Sequence, residues 1–396
     1  MPKTERLYYT DCYLREFEAR VLRIEPALKG FRVYLDRTAF YPESGGQPTD
    51  RGSVEGIPLL VALDEGEEIA HVLESAPTKE EVKGSIDWAH RFDHMQQHTG
   101  QHVLSAAFER TGQYKTVSFH LGAEVSMIDL DSDRLGRRQI EEAEELANQV
   151  VFEDRPVRIF FQPAGEAQRM DLRKPTFREG DVRLLEVEDF DLSACGGTHV
   201  SRTGAIGVIM TRKFERMKGL TRVEFICGHR ALTAARHDYQ TLSEAARLFS
   251  TSFDKVPELI TKQSEELRAA SRAWEKTIER MAELRALELW RATPEKNGRK
   301  VIRAIFPLEE AGEAKMVAHG IAKQPSAVAL IGVKGRPAAL YFSQSAGGAL
   351  DMGSVLKQTA AKFGGKGGGA RDFAQGGGID ESRLEEALAY AESLLP

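Results

Sequence analysis

The chain has 396 residues, of which 41% are hydrophobic and 29% are charged. This length exceeds one ordinary domain, and the composition excludes a disordered or collagen-like chain. Its 54 Lys and Arg residues against 60 Asp and Glu residues give a net charge of −6, which excludes the uniformly basic surface of a nonspecific nucleic-acid binder.

The sequence shows no signal for secretion or for a membrane. The first residues, MPKTERLYYTD, lack the apolar segment of a secretory signal, and the longest apolar runs are far shorter than the roughly 18 residues that span a bilayer. We expect a cytoplasmic protein without a membrane partner. The three cysteines, Cys12, Cys195 and Cys227, favour metal binding or burial over a disulfide framework.

The first half of the chain changes from a β pattern to a mixed pattern. Up to about Ile86, β-prone segments such as EARVLRI and FRVYLD alternate with Gly, Pro and Asp clusters, which predicts a small β-barrel or a β-sandwich. Its segment LDRTAFYPESGGQPTDRG, residues 35–52, is typical of a turn, and by itself it fits a plain loop and a functional loop equally well. A helical pattern follows, and then short strands and helices alternate as in an α+β domain.

A stretch rich in Ala, Glu, Arg and Leu follows, and it predicts one long helix over 257–292. Four apolar residues recur there at seven-residue spacing: Ile260, Leu267, Trp274 and Met281. This stripe predicts a buried contact with another helix, either a helical hairpin or a homodimer through this linker. A helix laid on a neighbouring domain is the alternative.

The last hundred residues read as an α/β domain with strands VIRAIF, AVALIG and AALYFS. Their most unusual segment is FGGKGGGARDFAQGGG, residues 363–378, in which eight of sixteen positions are glycine. A flexible loop is the plain interpretation. Because Lys366 and Arg371 stand among the glycines, we favour a loop that contacts RNA or another ligand.

Histidines provide the sharpest chemical signal. Four of them recur at every fourth position of the helical segment and so share one face: His90, His94, His98 and His102. The latter two precede an apolar stretch, so we expect them to be the better buried pair. Farther along, Cys195 and His199 are also four residues apart, a spacing expected roughly 0.08 times by chance at this composition.

Three imidazoles and one thiolate suit Zn(II) rather than Mg(II) or Ca(II), which prefer oxygen ligands. The wide separation between the two ligand pairs is unlike a zinc finger and favours an active site, although a closed structural site remains the alternative. The segment HTGQH also lacks the glutamate of a zinc-peptidase motif.

Three segments in this order, LDRTAFYPESGGQPTDRG, HMQQHTGQH and SACGGTHVSRTGAIGV, resemble the editing module of alanyl-tRNA synthetases and of their free-standing relatives, the AlaX proteins. The glycine-rich segment resembles the DHH-associated domain of the long AlaX form, so the resemblance covers nearly the whole chain. It implies one zinc ion per chain, held by four ligands: His98, His102, Cys195 and His199.

The predicted fold is therefore α+β in four parts. They are an N-terminal small β-barrel (1–86), a zinc-containing α+β editing domain (87–230), a helical linker with coiled-coil character (231–294) and a C-terminal α/β DHH-associated domain that binds tRNA (295–396). Only 17 residues precede the first predicted strand, so we expect no aminoacylation activity.

The resemblance implies a trans-editing hydrolase that deacylates seryl-tRNA(Ala), with glycyl-tRNA(Ala) as a second substrate. Such a site is needed because a pocket for alanine rejects serine and glycine poorly. For substrate binding it suggests Thr38, Gln47 and Gln101. For tRNA binding it suggests Lys366 and Arg371, and a local charge of +3 between Arg212 and Glu224 adds Arg216 and Lys218. A noncatalytic zinc-stabilised tRNA-binding protein and a zinc hydrolase of small esters are the alternatives.

Overall fold

The computed structural model describes residues 3–177 and 179–396, so the first two residues of the predicted barrel domain lie outside the described part. The chain divides into two compact units, the first ending at Glu244 and the second running from Ala245 to Pro396. The predicted α+β class with an N-terminal β-barrel is confirmed. Among the described helices, none combines the length and the apolarity that a membrane span requires.

The described part of the first unit contains fifteen strands and four α-helices, the last of which crosses the division between the units. In chain order they are β1 (Glu5–Arg6), β2 (Glu16–Pro26), β3 (Phe31–Leu35), β4 (Arg37–Thr38), β5 (Gly52–Val54), β6 (Ile57–Asp64), β7 (Ile69–Leu73), β8 (Glu81–Ile86), α1 (Trp88–Gly112), β9 (Thr116–Leu121), β10 (Ser126–Leu130), α2 (Arg137–Phe152), β11 (Val157–Pro163), α3 (Ala164–Ala167), β12 (Asp181–Val187), β13 (Asp191–Ala194), β14 (Ile209–Met217), β15 (Leu220–Cys227) and α4 (Gly228–Leu248).

Six of these strands close a barrel in the order β2-β3-β7-β6-β5-β8. Its residues alternate between the interior and solvent because neighbouring side chains of a strand point to opposite faces. Phe17 and Ala19 of β2, for example, are buried, while Glu16 and Glu18, which precede each of them, are exposed. Closure leaves the barrel without open edges.

The helix α1 follows the barrel directly and is the centre of the first unit. Asp87 caps its start by accepting a hydrogen bond from the amide of His90 at 3.2 Å. From His94 to Phe108 every residue is buried, so even its polar side chains must find partners inside the protein. Around α1 lie a four-stranded sheet, β14-β15-β10-β9, and a three-stranded sheet, β11-β12-β13.

The second unit is a five-stranded sheet between two layers of helices. Its sheet order is β16-β17-β18-β20-β19, and only the first pair is parallel. Its elements are α5 (Val256–Ala292), β16 (Lys300–Phe306), α6 (Ala311–Ala322), β17 (Ala327–Val333), β18 (Ala338–Gln344), α7 (Met352–Lys362), β19 (Lys366–Gly369), β20 (Phe373–Ile379) and α8 (Leu384–Ser393).

The long helix predicted over 257–292 is α5, but no helix of the described chain covers its apolar stripe. Its four members are 49 to 68% exposed: Ile260, Leu267, Trp274 and Met281. The buried residues of α5 are Val256 at its start and Ala282 and Ala286 near its carboxyl end, where the two alanines lie against α6. The intramolecular hairpin is therefore wrong for this stripe, and the contact with a second protomer stays a prediction.

The glycine-rich segment is a β-hairpin, and the prediction of a loop is wrong. β19 and β20 pair in antiparallel register and extend the sheet. The glycines allow two backbones and a helix to approach closely: a Cβ at Gly367 would lie 2.4 Å from the side chain of Leu356 on α7 and 2.6 Å from Gly376 of the partner strand. The glycines of this hairpin thus allow close packing of the backbone, and their role here is not to make the segment flexible.

Candidate metal centre

Two elements bring the predicted ligands together. His98 and His102 stand one turn apart on α1, while Cys195 and His199 lie directly after β13. The four donor atoms lie within 4.8 Å of one another, and all four residues are buried. His90 and His94 are not part of this cluster; the ring of His94 bonds the backbone of His90 instead, at 2.8 Å. His90 is half-buried and His94 is 4% exposed, whereas His98 and His102 are both buried, so the pair predicted to be better buried is confirmed.

The distances between donors fit a tetrahedral ion. Cys195 Sγ lies 3.4 Å from His98 Nε2 and 3.2 Å from His199 Nε2. Usual Zn–S and Zn–N bond lengths in a tetrahedron would separate sulfur and nitrogen by roughly 3.6 Å. The cluster thus offers soft and imidazole donors at nearly the required separation.

Each imidazole turns Nε2 toward the cluster because its Nδ1 is bonded elsewhere. The partners of Nδ1 are Gln47 for His98 at 2.8 Å, Asp191 for His102 at 3.1 Å and Thr99 for His199 at 3.3 Å. The hydroxyl of Thr99 donates to the carbonyl of Met95, so toward His199 it accepts. These Nδ1 contacts direct Nε2 of all three rings toward the cluster, where it can bind a metal once it carries no proton.

Gln47 lies beside the cluster, where its side chain bonds His98 and Thr198. Its Oε1 accepts from the amide of Thr198 at 3.1 Å, which fixes that atom as the acceptor for His98. It is 1% exposed and does not line the cleft described below. A Cβ at Gly197 would lie 2.2 Å from the ring of His98 and 2.8 Å from Gln47, so this close approach requires glycine.

The imidazoles set the charge of the cysteine. Burial by itself would raise the pKa of the Cys195 thiol, but the nearby His98 and His199 rings lower it well below its usual value. Burial lowers the pKa of His199 to about 3, so that ring is neutral. A thiolate beside a neutral imidazole is the protonation state that a metal ion binds.

Asp191 joins the cluster to a basic residue. Burial opposes a charged His102, yet the hydrogen bonds to Asp191 and Cys195 raise its pKa to about 9. The second oxygen of Asp191 accepts from Arg173 Nε at 2.7 Å. Arg173 is thereby held beside the cluster, at the wall of an open cleft.

This cleft has a volume of about 590 Å³, which lies in the range of small-molecule sites. His98, His102 and Cys195 form part of its wall. Arg173 and Lys174 are its charged side chains, and no Asp or Glu occurs among the described residues that line it. In a chain with a net charge of −6, such a wall favours an anionic ligand.

Gln101 also lines the cleft and is 2% exposed. Its Nε2 donates to Ser105 Oγ at 2.9 Å, and Thr116 donates to the same oxygen at 2.8 Å. The Oε1 atom of Gln101 has no hydrogen-bond partner among the described residues. A buried acceptor without a partner is costly, so a ligand that supplies a donor would gain free energy here.

The structure does not bring Thr38 to the cleft. This residue is fully buried in the barrel, where its hydroxyl bonds His71 Nε2 at 2.8 Å and accepts from the amide of Phe40 at 3.1 Å. Burial lowers the pKa of His71 to about 4 and keeps its ring neutral. The hydroxyl is thus occupied by partners inside the barrel and is not free for a substrate.

Two family models match the chain. The second additional domain of threonyl and alanyl tRNA synthetases matches residues 182–224, which include Cys195 and His199, and the DHHA1 domain matches residues 300–395. An alanine–tRNA ligase of Pyrococcus abyssi is 34% identical over 416 residues, covering 100% of this chain and 44% of the ligase. The alanyl-tRNA editing protein AlaX-L of Pyrococcus horikoshii is 31% identical over 392 residues, with 94% of both chains covered.

The chain belongs to the AlaX-L family of alanyl-tRNA editing proteins. It spans less than half of the ligases that it resembles, since only 44% of their length is matched. The match with the Pyrococcus abyssi ligase covers 100% of this AlaX-L family member. It therefore includes both α1 and the segment after β13, which carry the candidate ligands.

The basic residues predicted to bind tRNA in this AlaX-L family member lie on exposed surfaces of the two units. Arg216 lies near the end of β14 and Lys218 lies in the turn to β15, and Arg216 donates to the carbonyl of Leu135 at 2.9 Å. Lys366 and Arg371 lie on and beside the hairpin of the second unit. The other three basic residues of the β14–β15 stretch are engaged in ion pairs: Arg212 with Asp238, Lys213 with Glu215 and Arg222 with Asp129.

Sequence reasoning on this AlaX-L family member missed Asp191, Thr99 and Arg173. A signal existed for Asp191, because residues 191, 193 and 195 of an extended strand share one face, and Cys195 was already a candidate ligand. Thr99 stands beside His98 but acts on His199, a relationship that depends on the fold. No local pattern connects Arg173 with Asp191, 18 residues away.

Proposed function

We propose that this chain is a zinc-dependent deacylase that hydrolyses seryl-tRNA(Ala), and also glycyl-tRNA(Ala), in trans. The observation that carries the proposal is the buried cluster of three imidazoles and a thiolate in the wall of a cleft with two cationic side chains. A relative that matches over 94% of both chains is named an alanyl-tRNA editing protein, which supports the same activity.

The residues of the cluster fit one zinc ion per chain. His98, His102 and His199 offer Nε2, and Cys195 offers a thiolate. With a further coordination position open, a zinc ion held there would polarise an ester carbonyl or lower the pKa of a water molecule. The contribution of the chain is to keep the three rings oriented through Gln47, Asp191 and Thr99, and to keep carboxylates out of the described wall.

We assign recognition of the amino acid to Gln101. Its Oε1 has no partner in the described part of the chain while its Nε2 is anchored on Ser105, so the amide is held in place before a substrate arrives. The hydroxyl of serine is a donor of the kind that this acceptor requires, whereas the methyl of alanine is not. A site that pairs with a hydroxyl discriminates strongly against a substrate without one. Glycine would enter through its small size alone.

We propose that exposed basic residues of both units bind the body of the tRNA. Arg216 and Lys218 would contact phosphates near the catalytic unit, and Lys366 and Arg371 would do so in the second unit. The division into a barrel (1–86), an editing domain (87–230), a linker (231–294) and a tRNA-binding domain (295–396) is part of this proposal. So is a homodimer formed through the apolar stripe of α5, which is exposed in the single chain.

The test is a side-by-side deacylation assay of seryl-tRNA(Ala), glycyl-tRNA(Ala) and alanyl-tRNA(Ala) with the zinc-loaded protein. We expect the first two esters to be cleaved and the third to be spared. Cys195→Ala should abolish cleavage and zinc binding, while Cys227→Ala, a change at another buried cysteine, should preserve both. A protein that binds these tRNAs but leaves all three esters at their spontaneous rates would instead be a noncatalytic carrier.

A further inference from the structure

An exposed phenyl ring lies at the mouth of the cleft. The side chain of Phe177 is 90% exposed, although the residue belongs to the cleft wall. On the same wall lie Val117 of β9, 45% exposed, and the half-buried Phe119. Single exposed apolar residues are ordinary, but an apolar group gathered at the entrance of a polar site marks a contact surface.

The segment that carries Phe177 is anchored beside the candidate metal centre. The described residues between α3 and β12 contain no regular secondary structure. At Arg173 the backbone amide donates to the carbonyl of Leu192 at 2.9 Å, and the side chain bonds Asp191. Asp191 in turn holds the ligand His102, so the position of this segment depends on the same carboxylate as the cluster.

The charges around the ring are those of a surface that binds phosphate. Lys174 is exposed between Arg173 and Phe177, and the described part of the cleft wall contains no carboxylate. Aromatic side chains with neighbouring cations are the usual elements that bind single-stranded nucleic acid, because bases stack on the rings while cations attract the backbone.

We infer that Phe177 stacks on the terminal nucleobase of the tRNA 3′ end, with Lys174 attracting the adjacent phosphate. The inference rests on the proposed function and adds the subsite that holds the nucleoside. In an aminoacyl-tRNA the ester and the terminal base are attached to the same ribose. An ester held over the cluster therefore leaves the base at the mouth of the cleft, where Phe177 is exposed.

A fluorescent tRNA tests this contact independently of hydrolysis. Uncharged tRNA(Ala) that carries 2-aminopurine at its 3′ terminus should lose fluorescence on binding, because stacking quenches this base. Phe177→Ala should abolish the quenching, and Phe177→Trp should restore it. Phe152→Ala is the matched control, since Phe152 is 74% exposed on α2 and lies outside the cleft wall. Equal quenching in Phe177→Ala and wild type, or bound tRNA without quenching in wild type, would overturn the inference.

Kinetics separate this subsite from the chemistry. Phe177→Ala should lower kcat/KM for seryl-tRNA(Ala) on the order of 5- to 150-fold, the range for one stacked base. It should not change the hydrolysis of serine methyl ester, which has no base. An equal loss with both esters would place Phe177 in the support of the cluster and contradict the inference. Quenching without hydrolysis in wild type would instead refute the proposed function and leave the base contact standing.

Discussion

Arg91 of α1 and Asp50 of the segment between β4 and β5 form an ion pair that is sealed from solvent. Their side chains are 0% and 2% exposed, and Arg91 Nε donates to Asp50 at 2.8 Å. Arg91 also donates to the carbonyl oxygens of Cys12 and Ala39, at 3.0 and 2.6 Å. The pair thus ties the segment that contains Gln47 to the helix that contains His98.

Arg91→Leu should strongly destabilise the first unit. Removing one partner leaves the buried carboxylate of Asp50 without its cation, which costs about 3–5 kcal/mol. Urea unfolding followed by circular dichroism measures the change. The control is Arg138→Leu, because Arg138 pairs with Glu142 on an exposed helix face, where water and salt weaken an ion pair and it contributes little to stability. Equal effects of the two substitutions would show that burial of the Arg91 pair is energetically irrelevant.

Thr38→Val should reduce stability and leave substrate preference unchanged. The substitution removes the hydroxyl that bonds His71 and the amide of Phe40, so buried polar groups lose their partner at a cost of about 1–3 kcal/mol. The measurement is the free energy of unfolding together with the ratio of kcat/KM for the seryl and glycyl substrates. Thr78→Val, at an exposed position between β7 and β8, is the control for stability. A changed ratio at unchanged stability would return Thr38 to the substrate site.

Gln47→Leu should weaken metal binding. Without the acceptor for its Nδ1 proton, His98 loses the hydrogen bond that orients the ring, and such losses typically lower metal affinity by about 10- to 100-fold. Competition for zinc with a chromophoric chelator measures the affinity. Exposed Gln149 provides the matched control, Gln149→Leu. Unchanged zinc affinity with a raised KM would instead support the sequence-based assignment of Gln47 to the substrate.

Gln101→Leu should alter selectivity without altering the metal. The substitution keeps the size of the side chain but removes the acceptor proposed for the serine hydroxyl, at a cost of about 1–3 kcal/mol for the seryl substrate. Glycine has no hydroxyl, so glycyl-tRNA(Ala) cleavage should fall much less. The readout is the ratio of the two kcat/KM values, with zinc content as the check on folding. A parallel fall of both activities would mean that Gln101 positions the ester.

Trp274→Glu should dissociate a dimer without unfolding the chain. Trp274 is 67% exposed and lies in the middle of the apolar stripe of α5, so a charge there would be buried only in a contact between two protomers. Analytical ultracentrifugation compares the variant with Glu275→Gln, an exposed position beside it. A wild-type chain that sediments as a monomer at micromolar concentration would refute the dimer.

Features with a local signature were predictable from the sequence. Strand and helix periodicity indicated the barrel, α1 and the α/β end of the chain, because alternation and 3.6-residue repeats are properties of neighbouring residues. The ligands were recognisable for the same reason. His98 with His102, and Cys195 with His199, each repeat a spacing of four, and the rarity of cysteine made the second pair conspicuous.

Relationships between distant segments were decided by tertiary structure. Thr38 and Gln47 lie in one motif, yet the hydroxyl of Thr38 faces His71 inside the barrel while the side chain of Gln47 reaches His98. The two side chains differ because the direction of a side chain depends on the path of its backbone. Asp191 is likewise a partner of His102 only through the packing of β13 on α1. A hydrogen bond requires two groups within about 3 Å, and only the folded chain brings residues 50 or 90 positions apart to that distance.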